Sequence, residues 1–417
     1  MALTALGQGL NIAAAPLLGR LYSPEAFGLY GLFYLFVTTA AMFICLNYDA
    51  AIPAAVTDEE AQSLSEASVR LSVVICAMIA VGLTMAIQFD LMGFGGLPWW
   101  AGLLAFAILW LQALIQVVQA WYVRRQTAVA IGRAGVTLNA VRGGTQVGAG
   151  VLGGMWWGLG LGEVLGRVAA LVHSLLEKGA WRPSGGLWSL HLPRAVLSRY
   201  RRFPLVLLGS TAIDAAVVFA LIAVLSALYG PAGMGQYFMM RRTLDLPVAF
   251  AFRSLADIFY GRLAAHSRHA PTYVKPFYVR SVLILAAVGF VGAVPLMIWG
   301  KPMFELVLGP AWGEAGLLAA VMAPSAVLNL AVAPASRVFA LSRRAWLRFA
   351  FTGVNAASTG LVLWMAWVGN WNLLSTVTGL STAISVSYLV YFIAGIAAAD
   401  DLIIDGVSTM PERSAGK

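Results

Sequence analysis

Apolar segments of about twenty residues follow one another along almost the whole chain, with short connections between most of them. Hydrocarbon offers no hydrogen bonds, so a chain that crosses it must satisfy every backbone N–H and C=O internally; apolar runs this long do so as helices rather than as barrel strands. Only 11% of the 417 residues are charged and 60% are hydrophobic, whereas a water-soluble surface needs about a quarter charged residues. The expectation is an all-α membrane protein. The pattern predicts about twelve transmembrane helices, at 1–18, 27–46, 70–93, 97–123, 135–154, 155–177, 203–228, 235–262, 278–299, 314–341, 347–369 and 372–399. Met1–Leu18 has no basic start, so no cleavable signal peptide is read, and this first helix is barely long enough to span.

One stretch occurs twice. Leu21-Tyr-Ser-Pro-Glu-Ala-Phe-Gly-Leu-Tyr30 returns as Leu228-Tyr-Gly-Pro-Ala-Gly-Met-Gly-Gln-Tyr237, each copy between two apolar segments. Pro fixes φ and Gly frees it, so L-Y-x-P-x-x-x-G-x-Y sets a tight turn between two rods. Fainter echoes keep the same order: Ala101–Ala105 returns as Ala315–Ala319, and Arg124–Arg125 as Arg343–Arg344. The chain therefore reads as two related halves, an arrangement that many transporters use to place a substrate path at the repeat interface. The expected organisation is two pseudo-symmetric six-helix bundles around a central cavity. They comprise 1–177 and 203–399, joined by a linker at 178–202 and followed by a tail at 400–417.

Lys and Arg set the orientation. With the N-terminus inside, 19 cations fall on cytoplasmic segments, and only Arg20 and Lys301 fall on the far side. Both termini are expected in the cytoplasm, and the +9 net charge is mostly an orientation signal that gives no support for nucleic-acid binding. The linker alternates Trp188, Leu190, Leu192, Val196, Leu197 and Tyr200 with arginines, which predicts an amphipathic segment on the inner membrane surface. Trp99, Trp100, Trp156, Trp157, Trp299, Trp312, Trp367 and Trp371 fall near predicted outer helix ends and read as an interfacial aromatic belt, a few of them available to stack on sugar rings.

Charges inside the membrane are costly and face a wet cavity or a partner. The eighth predicted helix carries Arg241, Arg242, Asp245, Arg253 and Asp257 on one polar side, with Arg242 and Arg253 about 20° apart at about 100° per residue. Asp214 lies near mid-membrane on the seventh, Glu163 and Arg167 on the sixth, and Arg142 on the fifth. Glu163–Arg167, Arg241–Asp245 and Arg253–Asp257 are i,i+4 pairs that can neutralise themselves on their own helices. Arg142, Arg242 and Asp214 have no such local partner, and Arg142 and Asp214 are candidates to satisfy each other across helices. Arg337 reads as snorkelling to headgroups. Embedded Arg outnumbers Asp plus Glu by six to four, which suits an anionic passenger because Arg binds phosphate in a planar fork. Arg242, Arg142, Arg167, Arg241 and Arg253 are the candidates for holding it. Asp214, Glu163, Asp245 and Asp257 are the candidates for carrying a coupling ion, H+ or Na+.

The chain has no GxxxxGK[ST] loop, no HExxH and no N-x-S/T sequon. Cys45 and Cys76 lie in or at the ends of apolar helices and read as inert packing residues. No cofactor, metal site or catalytic centre is expected, and the far-side loops are too short for a catalytic domain.

The chain resembles the polysaccharide (O-antigen type) flippases of the multidrug/oligosaccharidyl-lipid/polysaccharide exporter superfamily. The similar stretches run almost end to end. They include Ala15-Pro-Leu-Leu-Gly-Arg-Leu-Tyr-Ser-Pro-Glu-Ala-Phe-Gly28, Tyr48-Asp-Ala-Ala-Ile-Pro53 with Asp58-Glu-Glu-Ala61, and Arg199-Tyr-Arg-Arg-Phe-Pro204. Arg242-Thr-Leu-Asp-Leu-Pro247, Leu308-Gly-Pro-Ala-Trp-Gly-Glu-Ala-Gly316 and Pro334-Ala-Ser-Arg-Val-Phe339 continue the series. Asp245, Arg253 and Asp257 depart from the commoner apolar pattern of that family. The resemblance implies alternating-access export of an undecaprenyl-diphosphate-linked oligosaccharide across a bacterial plasma membrane, with H+ or Na+ coupling, and a glycan polymerase among the possible partners. A cation-coupled multidrug antiporter of the same superfamily is the alternative. A membrane oligosaccharide polymerase or ligase is a further one, which the short outer loops disfavour.

Overall fold

A computed structural model describes residues 2–177, 181, 194–269, 273–335, 338–341 and 346–399, with the side chains of 246–258 and of some other helical positions outside that description. Among the described residues the chain is helical and contains no strand. The helices are α1 (Ala2–Leu21), α2 (Pro24–Ala40), α3 (Asp58–Gln88), α4 (Ala101–Arg124), α5 (Ala128–Val151), α6 (Trp156–Leu176), α7 (Arg194–Arg199), α8 (Arg202–His269), α9 (Val274–Leu308), α10 (Gly313–Ala335), α11 (Val338–Leu341), α12 (Trp346–Gly369) and α13 (Leu373–Ala399). Short 3₁₀ turns at Asp49–Ala54, Leu91–Gly96 and Pro310–Trp312 link some of them. Among the described residues 8 helical segments are long and apolar enough to cross a membrane, and the protein is a multi-pass membrane protein.

The start of α3 differs from the sequence reading for a local reason. α3 begins at Asp58 rather than at 70. The hydroxyl of Thr57 accepts from Glu60 N at 3.2 Å. Three acidic residues fill the first turn, where they complement the helix dipole. The polar stretch after them stays helical because its side chains find partners, Arg70 on Glu66 at 3.1 Å and the Ser65 hydroxyl on Ala61 O at 2.7 Å. The helices expected at 203–228 and 235–262 both form, and they are numbered together as α8 because they follow each other without a loop. α8 is interrupted at Gly230, whose φ of 62° and ψ of −171° suit glycine.

The two copies of the repeated turn solve the same problem differently. In the first, Ser23 caps α2 by accepting from Ala26 N at 3.3 Å. Pro24 is the first helical residue there, where its missing N–H costs nothing. In the second, Gly230 stands at the corresponding position and makes the turn with its positive φ. The copies also face each other. A Cβ placed on Gly28 would lie 1.7 Å from Pro231 O, and one on Gly235 would lie 1.9 Å from Pro24 O. α2 therefore lies backbone to backbone on the stretch of α8 that follows Gly230, the close approach that small residues allow between membrane helices.

A single apolar cluster surrounds this contact and includes Phe27, Phe33, Met234, Phe238 and Trp312. Trp312 corrects the aromatic-belt expectation: it is fully buried, its Nε1 donates to Gly19 O at 2.7 Å, and it meets Phe27 edge-on at 5.3 Å. Trp156 is buried too, stacked on Trp100 at 5.4 Å, whereas Trp99, Trp299 and Trp367 stay exposed. Indole donors and shape complementarity make core residues of tryptophans that sequence position alone puts at an interface. Cys45 and Cys76 are free and buried.

Two aromatic residues of the 178–202 linker, Trp181 and Tyr200, are covered by protein, while Ser198, Arg199 and Arg201 are exposed. Trp181 and Tyr200 are buried in a cluster with Ile52, Leu64 and Trp121, and Val196 packs against it. Tyr200 Oη donates to Glu60 at 2.9 Å, Arg199 pairs with Glu60 at 2.5 Å, Trp181 Nε1 donates to Gln62 at 2.9 Å, and Arg124 pairs with Asp58 at 2.8 Å. The acidic start of α3 is what holds the basic linker. Trp188, Leu190 and Leu192 lie outside the described residues.

Candidate functional site: a charged cavity beside the repeat contact

A cavity of about 390 Å³ lies beside the contact between the repeats. α1 contributes Gln8 and Asn11, α2 Tyr30 and Tyr34, α5 Asn139 and Arg142, α6 Glu163, and α8 Arg241, Arg242 and Asp245. Five of the residues expected to carry function, Arg142, Glu163, Arg241, Arg242 and Asp245, therefore meet in one space.

Their bonding sorts them. Glu163 is 2% exposed. Arg167 Nη1 pairs with its Oε2, the i,i+4 contact expected, while Tyr30 Oη donates to its Oε1 at 2.8 Å and Arg142 Nη1 reaches the same oxygen at 3.5 Å. Arg142 Nη2 donates to Asn139 Oδ1 at 2.5 Å. Arg142 is thus partnered by Glu163 and not by Asp214, which corrects the cross-helix pairing expected. The reason is topological, since α5 and α6 are packed neighbours while Asp214 lines a second cavity. Arg242 Nη2 donates to Asn11 Oδ1 at 2.9 Å, and Arg241 pairs with Asp245 at 3.2 Å as expected.

Arg167 sits away from this cavity. Its Nε donates to Gln112 at 3.2 Å, and it lines a separate space of about 280 Å³ between α2, α4 and α6. Asp214 lines a cavity of about 290 Å³ with Asn329, Asn355, Thr352 and Tyr388, and Arg241 and Asp245 line it too. The Arg241–Asp245 pair therefore stands between the cavity that holds Arg142 and Glu163 and this one. Arg253 and Asp257 fall on α8, but their side chains lie outside the described residues, as does Arg337.

Arg242 has a second exposure. It also lines an apolar groove of about 490 Å³ formed by Ile12 and Pro16 of α1, Met239 and Leu244 of α8, and Leu296 and Phe304 of α9. Arg241 and Arg242 are consecutive, so their side chains leave α8 about 100° apart. Arg241 reaches the Asp214 cavity and Arg242 the groove, while both line the cavity that holds Arg142 and Glu163.

The sequence reading missed the uncharged members of the site. Asn11 and Asn139 orient Arg242 and Arg142, and Tyr30 binds Glu163. Tyr30 carried one available signal, as the last residue of the repeated turn; Asn139 lies one turn before Arg142 on the same helix.

A family model described as polysaccharide biosynthesis protein matches residues 17–316. The chain belongs to the polysaccharide biosynthesis protein family. Solved structures with the same fold extend to transporters. One titled lipid II flippase MurJ in an inward closed conformation gives a TM-score of 0.66 at 10% identity, covering 96% of this chain and 89% of that one. An inward-facing multidrug resistance transporter of the MATE family and MOP superfamily gives 0.62 at 14% identity, with 94% and 95% covered. A MOP superfamily transporter from Pyrococcus furiosus, titled for the reverse polarity of its binding pocket, gives 0.61 at 15% identity, with 96% and 95% covered. None of the curated proteins compared matches this family member in sequence. At these identities the neighbours establish the shared fold, and the charged cavity is argued from this chain's own residues.

Proposed function

We propose that this polysaccharide biosynthesis protein is a flippase that moves an undecaprenyl-diphosphate-linked oligosaccharide from the inner to the outer leaflet of a bacterial plasma membrane by alternating access. The observation that carries this reading is the double exposure of Arg242, on a polar cavity and on an apolar groove at once. A lipid-linked diphosphate is built the same way, with an anionic head joined to an apolar tail. The head fits beside Arg142, Arg241 and Arg242, and the tail fits between α1, α8 and α9. Arg forms paired, charge-assisted hydrogen bonds to phosphate oxygens. Asn11 and Asn139 keep the two forks turned inward without competing as anions.

In this reading the twelve spans form two six-helix bundles, with 1–177 and 203–399 moving against each other and both termini in the cytoplasm. Asp245 at the border of the head site and Asp214 in the cavity beyond it are the acidic groups placed to carry a coupling ion; Asp257 remains a candidate on sequence grounds. Glu163 has donors on both oxygens and fits the part of a fixed counter-ion.

The test uses purified protein in liposomes containing a fluorescent short-chain polyprenyl-diphosphate saccharide. An impermeant quencher reports the fraction that reaches the opposite leaflet. The unaltered protein flips the lipid above empty liposomes, and Arg242→Ala lowers the rate while the protein remains in the membrane. Absence of flipping with several saccharides, with and without ion gradients, overturns the reading; export of cationic drugs by the same liposomes would replace it with a multidrug antiporter.

A further inference from the structure

Tyr30 belongs to both features on which the two halves meet. It is the last residue of the first repeated turn, two residues after Gly28, whose backbone lies on Pro231. Its hydroxyl donates to Glu163 Oε1 at 2.8 Å. That oxygen is also the one Arg142 reaches at 3.5 Å, the longest bond in the cluster, while Arg167 holds the other. Tyr30 further packs edge-on against Phe238 of α8 at 5.7 Å, across the contact between the halves. The corresponding residue of the second copy, Tyr237, lines the Asp214 cavity together with Arg241. Each turn therefore ends in a tyrosine that lines a charged cavity.

We propose that Tyr30 and Glu163 are positioning residues for Arg142, and that they couple the presence of an anionic head in the cavity to the contact between the two turns. The proposal rests on the flippase reading and names how its site is regulated. Before a head enters, Glu163 is the carboxylate that holds Arg142, and it ties α5 to α6 and, through Tyr30, to α2. A phosphate offers Arg142 a better-shaped acceptor than one carboxylate oxygen at 3.5 Å. Arg142 moves to the phosphate, Glu163 keeps Arg167 and Tyr30, and the tie between α5 and α6 opens at its weakest bond. α2 stays tied to α6 through Tyr30 and Glu163, so the two can move together away from α5, and the backbone contact of Gly28 with Pro231 and of Gly235 with Pro24 can part. A ligand shifts a conformational equilibrium only through a difference in its contacts between the two states, and the Arg142 exchange supplies one.

The experiment reads closure of this end of the molecule by a disulfide. A Cβ on Gly19 would lie 2.9 Å from Leu308 Cβ, so Gly19→Cys with Leu308→Cys joins α1 to α9 after a small adjustment. Cys45 and Cys76 are replaced by Ala in the same protein so that only the new pair can oxidise. In liposomes, the short-chain polyprenyl diphosphate saccharide slows formation of this cross-link in the otherwise unaltered protein, and a polyprenol lacking the diphosphate does not. Tyr30→Phe removes that dependence on cargo. In the flipping assay it lowers the maximal rate by roughly tenfold, the effect of losing one hydrogen bond to a carboxylate, and leaves the half-saturating cargo concentration within about twofold, because Tyr30 acts through Glu163 rather than on the cargo. Arg142→Lys keeps the charge but loses the fork; it also uncouples the cross-link from cargo, so the proposal stands or falls even where Tyr30→Phe does not fold. Flipping by the unaltered protein with a Tyr30→Phe variant of equal rate and equal cargo dependence overturns the coupling alone. A lack of flipping by the unaltered protein overturns the flippase reading and the coupling with it.

Discussion

Gly28 and Gly235 offer the sharpest perturbation of the fold. A methyl group on Gly28 would sit 1.7 Å from Pro231 O, and one on Gly235 would sit 1.9 Å from Pro24 O. Ordinary contact needs 3.4 Å or more, so either alanine must push α2 and α8 apart at this point. Both groups in the clash are backbone, and no rotamer change relieves it. Overpacking of this kind costs about 1–3 kcal/mol, and the separation also loosens Phe27, Phe238 and Trp312 around the contact. The two substitutions call for the same movement. Once Gly28→Ala has parted the turns, Gly235→Ala has most of the room it needs, so the double variant should lose clearly less than the sum of the single losses. A coupling of about 1 kcal/mol or more is expected, whereas distant sites add to within about 0.5 kcal/mol. Gly144→Ala is the control, because nothing lies within 4 Å of its added Cβ. Alanine there gains about 0.5–1 kcal/mol of helix propensity. Thermal unfolding of the purified variants in detergent measures all four. Equal stability of Gly28→Ala and Gly144→Ala, or strict additivity of the glycine pair, would refute the reciprocal contact.

Three further outcomes follow from named bonds. Glu163→Gln leaves Arg142 and Arg167 without their shared carboxylate. It should lower stability by about 3–5 kcal/mol, the cost of breaking a buried ion pair from one side; the same thermal assay reads it, and a loss under about 1 kcal/mol argues against the cluster. Gln236→Ala removes a side chain that donates to Ala311 O at 2.8 Å and accepts from Ala315 N at 2.9 Å. It should cost about 1–3 kcal/mol in thermal unfolding, since both backbone groups are left unpaired at the start of α10. Near the other end, the hydrogen bond from Arg133 at 3.0 Å holds the Glu177 carboxyl below its ordinary value of 4.5. The folded-state value is the depressed one, so the contact's contribution is complete above pH 4.5 and is lost as the pH falls through the folded value. Arg133→Ala should move the Glu177 midpoint back up, as followed by carbon-detected NMR titration of the labelled carboxylate.

Residence in a membrane is written in the sequence, because long apolar runs with so few charges have no other stable solvent. Much of the candidate site is written there too. A charge in hydrocarbon must find a partner or a wet cavity, and Arg142, Glu163, Arg241, Arg242 and Asp245 meet in one. The pairs Glu163–Arg167 and Arg241–Asp245 are legible because helix geometry alone sets an i,i+4 contact. Whatever depends on which helices are neighbours is not legible. Spacing along the chain carries no distance between helices, so Arg142 and Asp214 look like partners; packing sets α5 against α6 and assigns Arg142 to Glu163. Trp312 looks interfacial, yet its indole finds Gly19 O in the core. Asn11 and Asn139 carry no charge and Tyr30 stands out only as the end of the repeated turn, yet their hydrogen bonds aim the arginines and hold their counter-ion. The repeat is visible as one turn written twice, but only the tertiary structure brings the two copies face to face, where backbone lies on backbone and a side chain on either glycine has no room.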